Sequence, residues 1–122
     1  MAALQSSMQD QKLSDMARSY VGAYENGDRA TAEALLADGF TFTSPNDNGI
    51  DRATYFARCW PDNDAARDQR IENIVVGGQQ AFVTYSCTGQ DGQSFRNTEV
   101  LSFRGGQIAS VNVYFGASYP SV

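Results

Sequence analysis

The order of patterns along this 122-residue chain predicts an α+β domain, with helices first and strands after. Three observations lead there. Leu13, Met16, Ala17, Tyr20, Val21 and Tyr24 recur at helical spacing. Thr98 to Phe115, TEVLSFRGGQIASVNVYF, alternates on both sides of Gly105-Gly106 and reads as a β-hairpin. Between them, clusters of turn-forming residues cut the chain into pieces of short-helix or strand length. The length is that of one domain able to bury a core. It is assigned to residues 10–122, and residues 1–9 are read as a loose, flexible polar tail.

The elements follow in order. Ser14 or Asp10 begins the first helix and Asn26-Gly27 ends it through a left-handed residue. Asp28 caps a second, shorter helix carrying Ala32, Leu35 and Leu36, which Asp38-Gly39 breaks. Phe40 to Thr43 is a short strand, and Ser44 to Gly49, SPNDNG, is a turn. Asp51 caps a third helix with Tyr55, Phe56 and Cys59 inward, stopped by Trp60-Pro61. Asp62 to Asp68 is a charged loop. Strands are expected at Gln69 to Val76, at Gln79 to Thr88 and in the hairpin, with turns at Gly77-Gly78 and Gln90-Asp91-Gly92. No repeat, low-complexity tract or linker interrupts this order.

Composition narrows the chemistry. The chain has no histidine, which removes Ser-His-Asp and Cys-His catalysis, histidine bases and histidine zinc sites. Net charge is −5, with Lys12 the single lysine, which argues against nucleic acid and against anionic membrane surfaces as partners. No run reaches membrane-span length, and the first residues lack an apolar signal core. Cys59 and Cys87 have no metal spacing. They are read as reduced thiols of a cytoplasmic protein, with a Cys59–Cys87 bridge as the alternative. Gly77-Gly78 and Gly105-Gly106 join strands, so they are not phosphate loops. No cofactor and no metal is expected.

The element order, the helix segment Tyr20-Val21-Gly22-Ala23-Tyr24-Glu25-Asn26-Gly27-Asp28 and the closing Val111-Asn112-Val113-Tyr114-Phe115-Gly116 resemble the SnoaL-like branch of the nuclear transport factor 2-like superfamily. The resemblance spans Leu13 to Gly116. It implies a cone, in which a strongly bent antiparallel sheet wraps a long N-terminal helix and leaves an apolar pocket at its open end. It also implies a homodimer paired through the outer sheet face. Fold alone does not select among the isomerases, cyclases, hydrolases and non-catalytic proteins built this way. The epoxide-hydrolase variant needs an Asp-Arg-Asp set and the dehydratase variant a histidine, and neither is found here.

At the level of residues the chain is similar to ketosteroid isomerase. Tyr20, in Ser19-Tyr20-Val21-Gly22, stands where that family has an oxyanion-donating tyrosine. Glu99, in Glu99-Val100-Leu101-Ser102-Phe103, stands where it has a protonated acidic donor. The family's carboxylate base precedes a proline after the first strand, and here Ser44 precedes Pro45. A serine cannot serve as that base. Asp47 and Asp51 are the substitute carboxylates, Asp51 better suited to capping.

The residues themselves sharpen the question. Alternation sets Glu99 on one face with Leu101 and Phe103. A buried glutamate must pair with a cation or take up a proton. One reading is an ion pair with Arg18, Arg58 or Arg96, or a water-exposed rim. The other is a carboxyl of raised pKa that acts with Tyr20 on a ligand oxygen. Tyr20 is equally readable as a core tyrosine with a satisfied hydroxyl. Phe40, Phe42, Tyr55, Cys59, Trp60, Tyr85, Leu101, Val113 and Phe115 are the expected ligand-binding wall. Asn112 and Tyr114 fall on the opposite face and suit a homodimer contact. The function expected is binding of a small apolar carbonyl- or phenol-bearing molecule, with isomerase or cyclase chemistry through Tyr20 and Glu99. The alternative is a non-catalytic binding or dimerisation module with Glu99 in a structural ion pair.

Overall fold

In the computed structural model, which describes residues 2–60, 68–88 and 92–120, the first helix, α1, is Ala2–Asn26. Leu13, Ala17, Tyr20 and Val21 of the anticipated stripe are buried, and Ala23 joins them. The start lies well before Asp10 or Ser14. Ala, Gln, Met and Leu favour helix and no glycine or proline comes before Gly22, so helical backbone runs through the segment read as a loose tail. At the other end Gly27 adopts φ +69° and the Asp28 N–H reaches the Ala23 carbonyl at 2.8 Å, closing the helix as expected.

Asp28 caps α2, Arg29–Leu35, by accepting from the Thr31 N–H at 3.2 Å. The helix stops earlier than Asp38-Gly39. Leu36 instead opens β1, Leu36–Ser44, and is buried opposite Ile108. Pairing with a distant strand overrides the local helical spacing, and Asp38-Gly39 falls inside the register shift between Leu36 and Thr41. SPNDNG is not all turn either. β2, Asp47–Asp51, folds back on β1 and pairs Phe42 with Ile50 and Thr41 with Asp51. Asp51 then caps α3, Arg52–Arg58, accepting from the Thr54 N–H at 2.9 Å. Tyr55 and Phe56 face inward on α3, and Cys59 is its C-cap. The Pro61 stop and most of the charged loop lie outside the described residues.

The remaining strands are β3 (Asp68–Gly77), β4 (Gln80–Thr88), β5 (Gln93–Arg104) and β6 (Gln107–Pro120), close to their expected places but longer at the hairpin. Gly105 and Gly106, at φ +61° and +78°, make the tight turn that the alternation required. The sheet order is β2-β1-β6-β5-β4-β3. All neighbours run antiparallel except β1 and β6, which pair in parallel, as the long stretch of chain between them permits. Register shifts at Phe42/Ser44, Ile71/Asn73, Phe95/Asn97 and Ser102/Phe103 bend this sheet around α1.

One face of the sheet carries the core. Ala81, Val83, Leu101, Phe103, Ile108 and Val111 meet Leu13, Ala17 and Leu36 there. Cys59 and Cys87 are not bridged by a disulfide. No described helix is long and apolar enough to cross a membrane.

Candidate functional site

The core does not fill the sheet to its end. Where β5 changes from Leu101 and Phe103 to Glu99 and Asn97, a cavity of about 690 Å³ opens, a size that suits a small organic molecule. Helix α1 supplies Tyr20, Val21 and Tyr24 to its wall. The β1–β2 hairpin supplies Phe42, Ser44, Asn46 and Asp47, and the α3 region Tyr55, Arg58 and Cys59. Gln69, Tyr85, Cys87, Phe95, Asn97 and Glu99 line it from β3, β4 and β5. Val113, Phe115, Gly116 and Ser118 complete it from β6.

Eight sequence-predicted residues therefore meet at one cavity: Tyr20, Phe42, Tyr55, Cys59, Tyr85, Glu99, Val113 and Phe115. Phe115 is 52% exposed, which sets it at the open side. Three others are displaced from the wall. Phe40 and Trp60 lie behind Tyr55, with ring centroids 5.2 Å and 6.4 Å from it, and hold that ring edge-on. Leu101 is fully buried opposite Ala81 and Val111, in the filled half of the sheet. An apolar pattern identifies an inward face but not where along an element packing ends, so it does not tell these three from the wall. Asn112 and Tyr114 lie on the outer face, Tyr114 at 62% exposure.

The hydroxyls of Tyr20 and Tyr55 are 2.6 Å apart and buried. Burial is the main cause that pushes both phenols above their ordinary range, with Glu99 adding repulsion at each. They stay protonated at any pH the fold would meet, so this pair always has a proton to donate. The tyrosine is thus both a core residue and a cavity residue, because its ring packs while its oxygen reaches the wall.

Glu99 is 9% exposed. Among the described residues the ion pairs are Arg29–Glu33, Arg58–Asp47 and Arg96–Glu72. Arg58 and Arg96 are thus engaged elsewhere, and Arg18 is exposed on α1. The ion-pair reading of Glu99 finds no cation among the described residues. Burial raises its pKa to about 7, and a hydrogen bond from Tyr85 opposes the rise. A carboxyl so placed is half protonated near neutral pH.

A third polar group sits on the hairpin side. Arg58 Nη2 lies 3.0 Å from Asp47 Oδ1, a charge contact without hydrogen-bond alignment. The Cys59 thiol donates to Asp47 Oδ2 at 3.8 Å, and burial with the nearby carboxylate raises the thiol pKa. That makes Cys59 a poor nucleophile. Ser44 is on the wall but carries no carboxyl, whereas Asp47 does. Asp51 serves α3 as its cap. The sequence reading did not single out Tyr24, Gln69, Phe95 or Asn97. Asn97 was within reach of it, since Asn97, Glu99, Leu101 and Phe103 share one alternation. Gln69 Oε1 is buried with no hydrogen-bond partner.

A family model for the SnoaL-like domain matches residues 17–111, and the chain belongs to that family. No curated protein matches it significantly in sequence. Solved structures share its fold at low identity. A candidate ketosteroid isomerase from Kribbella flavida is 17% identical, with TM-score 0.78, over 93% of this chain and 84% of its own. A SnoaL-like polyketide cyclase candidate from Jannaschia is 14% identical, with TM-score 0.73, over 87% and 86%. An LEH-like epoxide hydrolase from M. tuberculosis is 18% identical, with TM-score 0.72, over 88% and 84%. At these identities the likeness speaks for fold, and relatives of this shape include isomerases, cyclases and hydrolases.

Proposed function

We propose that the cavity binds a small, largely apolar molecule through a carbonyl or phenol oxygen, and that the protein is a cofactor-independent proton-transfer enzyme of isomerase or cyclase type. The observation that carries this reading is Glu99, buried on a cavity wall with a pKa of about 7 and no described cation beside it. Protonated, it donates to a ligand oxygen, and Tyr20 donates from α1. Each donor aimed at a developing oxyanion contributes roughly 3–4 kcal/mol to the transition state. Asp47 is the wall carboxylate that takes the place of the base that Ser44 cannot be. Phe42, Tyr55, Tyr85, Val113 and Phe115 bury the apolar body of the ligand, with Cys59 beside the base.

Fluorescence titration with 2-naphthol tests this. Wild type binds, and Tyr20→Phe weakens binding about tenfold or more, equivalent to roughly 1.4 kcal/mol. Absence of binding by wild type, or equal binding by both, would remove Tyr20 and Glu99 from the account and leave a non-catalytic module.

The second copy of the chain is the proposed partner. Val75, Phe82, Val100 and Asn112 form one cross-strand row on the outer face, and Thr84, Thr98 and Tyr114 the next. Val75, Phe82 and Tyr114 are 52%, 39% and 62% exposed, a surface that a homodimer would cover. Tyr114→Arg is expected to give monomers by light scattering, and an unchanged dimer would place the contact elsewhere. The two unbridged cysteines favour a reducing, cytoplasmic setting.

A further inference from the structure

Asn97 is buried two residues before Glu99 on the same face, and nothing in the proposed chemistry uses it. Its two partners fix its orientation. The Gly116 N–H can only donate, so the Asn97 oxygen faces it, at 3.3 Å. The amide nitrogen then faces the Tyr85 oxygen, at 3.2 Å, and can only donate to it. The Tyr85 oxygen is thereby an acceptor, and its single proton is left for its other partner, Glu99.

We infer that Asn97 is a positioning residue, which sets a one-way hydrogen-bond chain from Gly116 through Asn97 and Tyr85 to Glu99. This rests on reading Glu99 as the donor to the ligand. In the inferred chain one Glu99 oxygen accepts from Tyr85, which stands diagonally across the β4–β5 pairing. The proton, when present, sits on the other oxygen and is available to the cavity. The chain thus does two things. It aims the acid, and by feeding Tyr85 towards the carboxylate it keeps Glu99 able to ionise, against the burial that disfavours charge.

The backbone is built for this contact. β5 and β6 change register between Phe95 and Asn97, where Gly116 and Ala117 of β6 stand opposite Arg96 alone, so β6 bulges at Gly116. A side chain at 116 would run into the Arg96 carbonyl oxygen. Only glycine lets the bulged β6 approach Arg96 closely enough for its N–H to reach across to the Asn97 side chain. A general core polar pair would need neither the bulge nor the glycine.

The titratable groups around Glu99 come from several elements. Tyr20 and Tyr24 stand on α1, Tyr55 on α3, and Tyr85 and Cys87 on β4. The Asp47–Arg58 pair with Cys59 lies across the same cavity. Asn97 itself does not titrate, so its influence must pass through Tyr85.

The test is a carbon-13 titration of the Glu99 carboxyl by nuclear magnetic resonance, in ligand-free protein. Tyr85→Phe should raise the Glu99 midpoint by about one unit. Asn97→Asp offers Tyr85 a charged acceptor, draws its proton away and should raise the midpoint as well. A new charge would do some of this unaided, so the comparison is made again in Tyr85→Phe protein. There the effect of Asn97→Asp should shrink by at least about half a unit, a roughly threefold change in proton affinity. Asn97→Ala repeats the comparison without added charge, should Asn97→Asp not fold. It should raise the midpoint when Tyr85 is present and leave it unmoved in Tyr85→Phe. Equal shifts in both backgrounds would overturn the chain while leaving Glu99 as the acid. A wild-type Glu99 with an ordinary carboxylate midpoint would overturn the proposed function itself.

Discussion

Two halves of the same strands behave differently. On β5, Leu101 and Phe103 are sealed against Ala81, Ile108 and Val111, while Glu99 and Asn97 on the same face are buried polar groups. β4 repeats the change, with Ala81 and Val83 at one end and Tyr85 and Cys87 at the other. The first half is packed by side chains alone. The second is a wall around a cavity, in which Asn97 is held by Tyr85 and by the Gly116 N–H. One alternating pattern can therefore encode a core and a site, because it fixes which way a residue points and leaves open what it meets there.

The halves should separate most clearly in stability. Leu101→Ala removes a fully buried side chain from the packed half and is expected to cost about 2–5 kcal/mol in urea denaturation. Glu99→Gln, two residues away, should cost little at low pH, where the carboxyl is already neutral. A large loss there would mean that the polar half is as tightly packed as the other.

The next effect is pH dependence. Glu99 has a folded pKa of about 7 against an ordinary value of 4.5, so the folded state holds its proton more strongly than the unfolded chain. Stability from this group is full below the unfolded value and is lost as pH rises through the folded one. The loss is on the order of 3 kcal/mol. Denaturation midpoints measured across this range should fall for wild type and lose this component in Glu99→Gln.

Gly116→Ala sharpens the comparison at the bulge. The added methyl meets the Arg96 carbonyl oxygen, and the strain should cost about 1–3 kcal/mol by thermal denaturation. An unchanged melting temperature would mean that the β5–β6 approach is loose. The smallest effect belongs to the surface. Glu72→Gln breaks the exposed Arg96 pair, at 2.9 Å, and should change stability by less than about 1 kcal/mol.

Much of this was legible in the sequence. Helical spacing gave α1, the Gly105-Gly106 turn gave the hairpin, and alternation turned Glu99 inward. Three features were not. Leu36 joins β1 because Ile108 pairs with it, and that partner is far away in sequence. Asp47 to Asp51 is strand because it folds onto β1, although its residues favour turns. The cavity depends on bulges and on where packing stops, and alternation alone does not separate Phe40, Trp60 and Leu101 from the wall. Asn97 lay on the readable alternation, but its task follows from Gly116, which only the fold brings near.

The most direct test of the central claim is 2-naphthol affinity measured from about pH 5 to about pH 8, a range in which a phenol of ordinary pKa stays neutral. If protonated Glu99 is a donor to the ligand, wild-type affinity falls as pH rises through about 7, and Glu99→Gln makes the profile flat. A flat wild-type profile, or a fall of equal size in Glu99→Gln, would contradict the account.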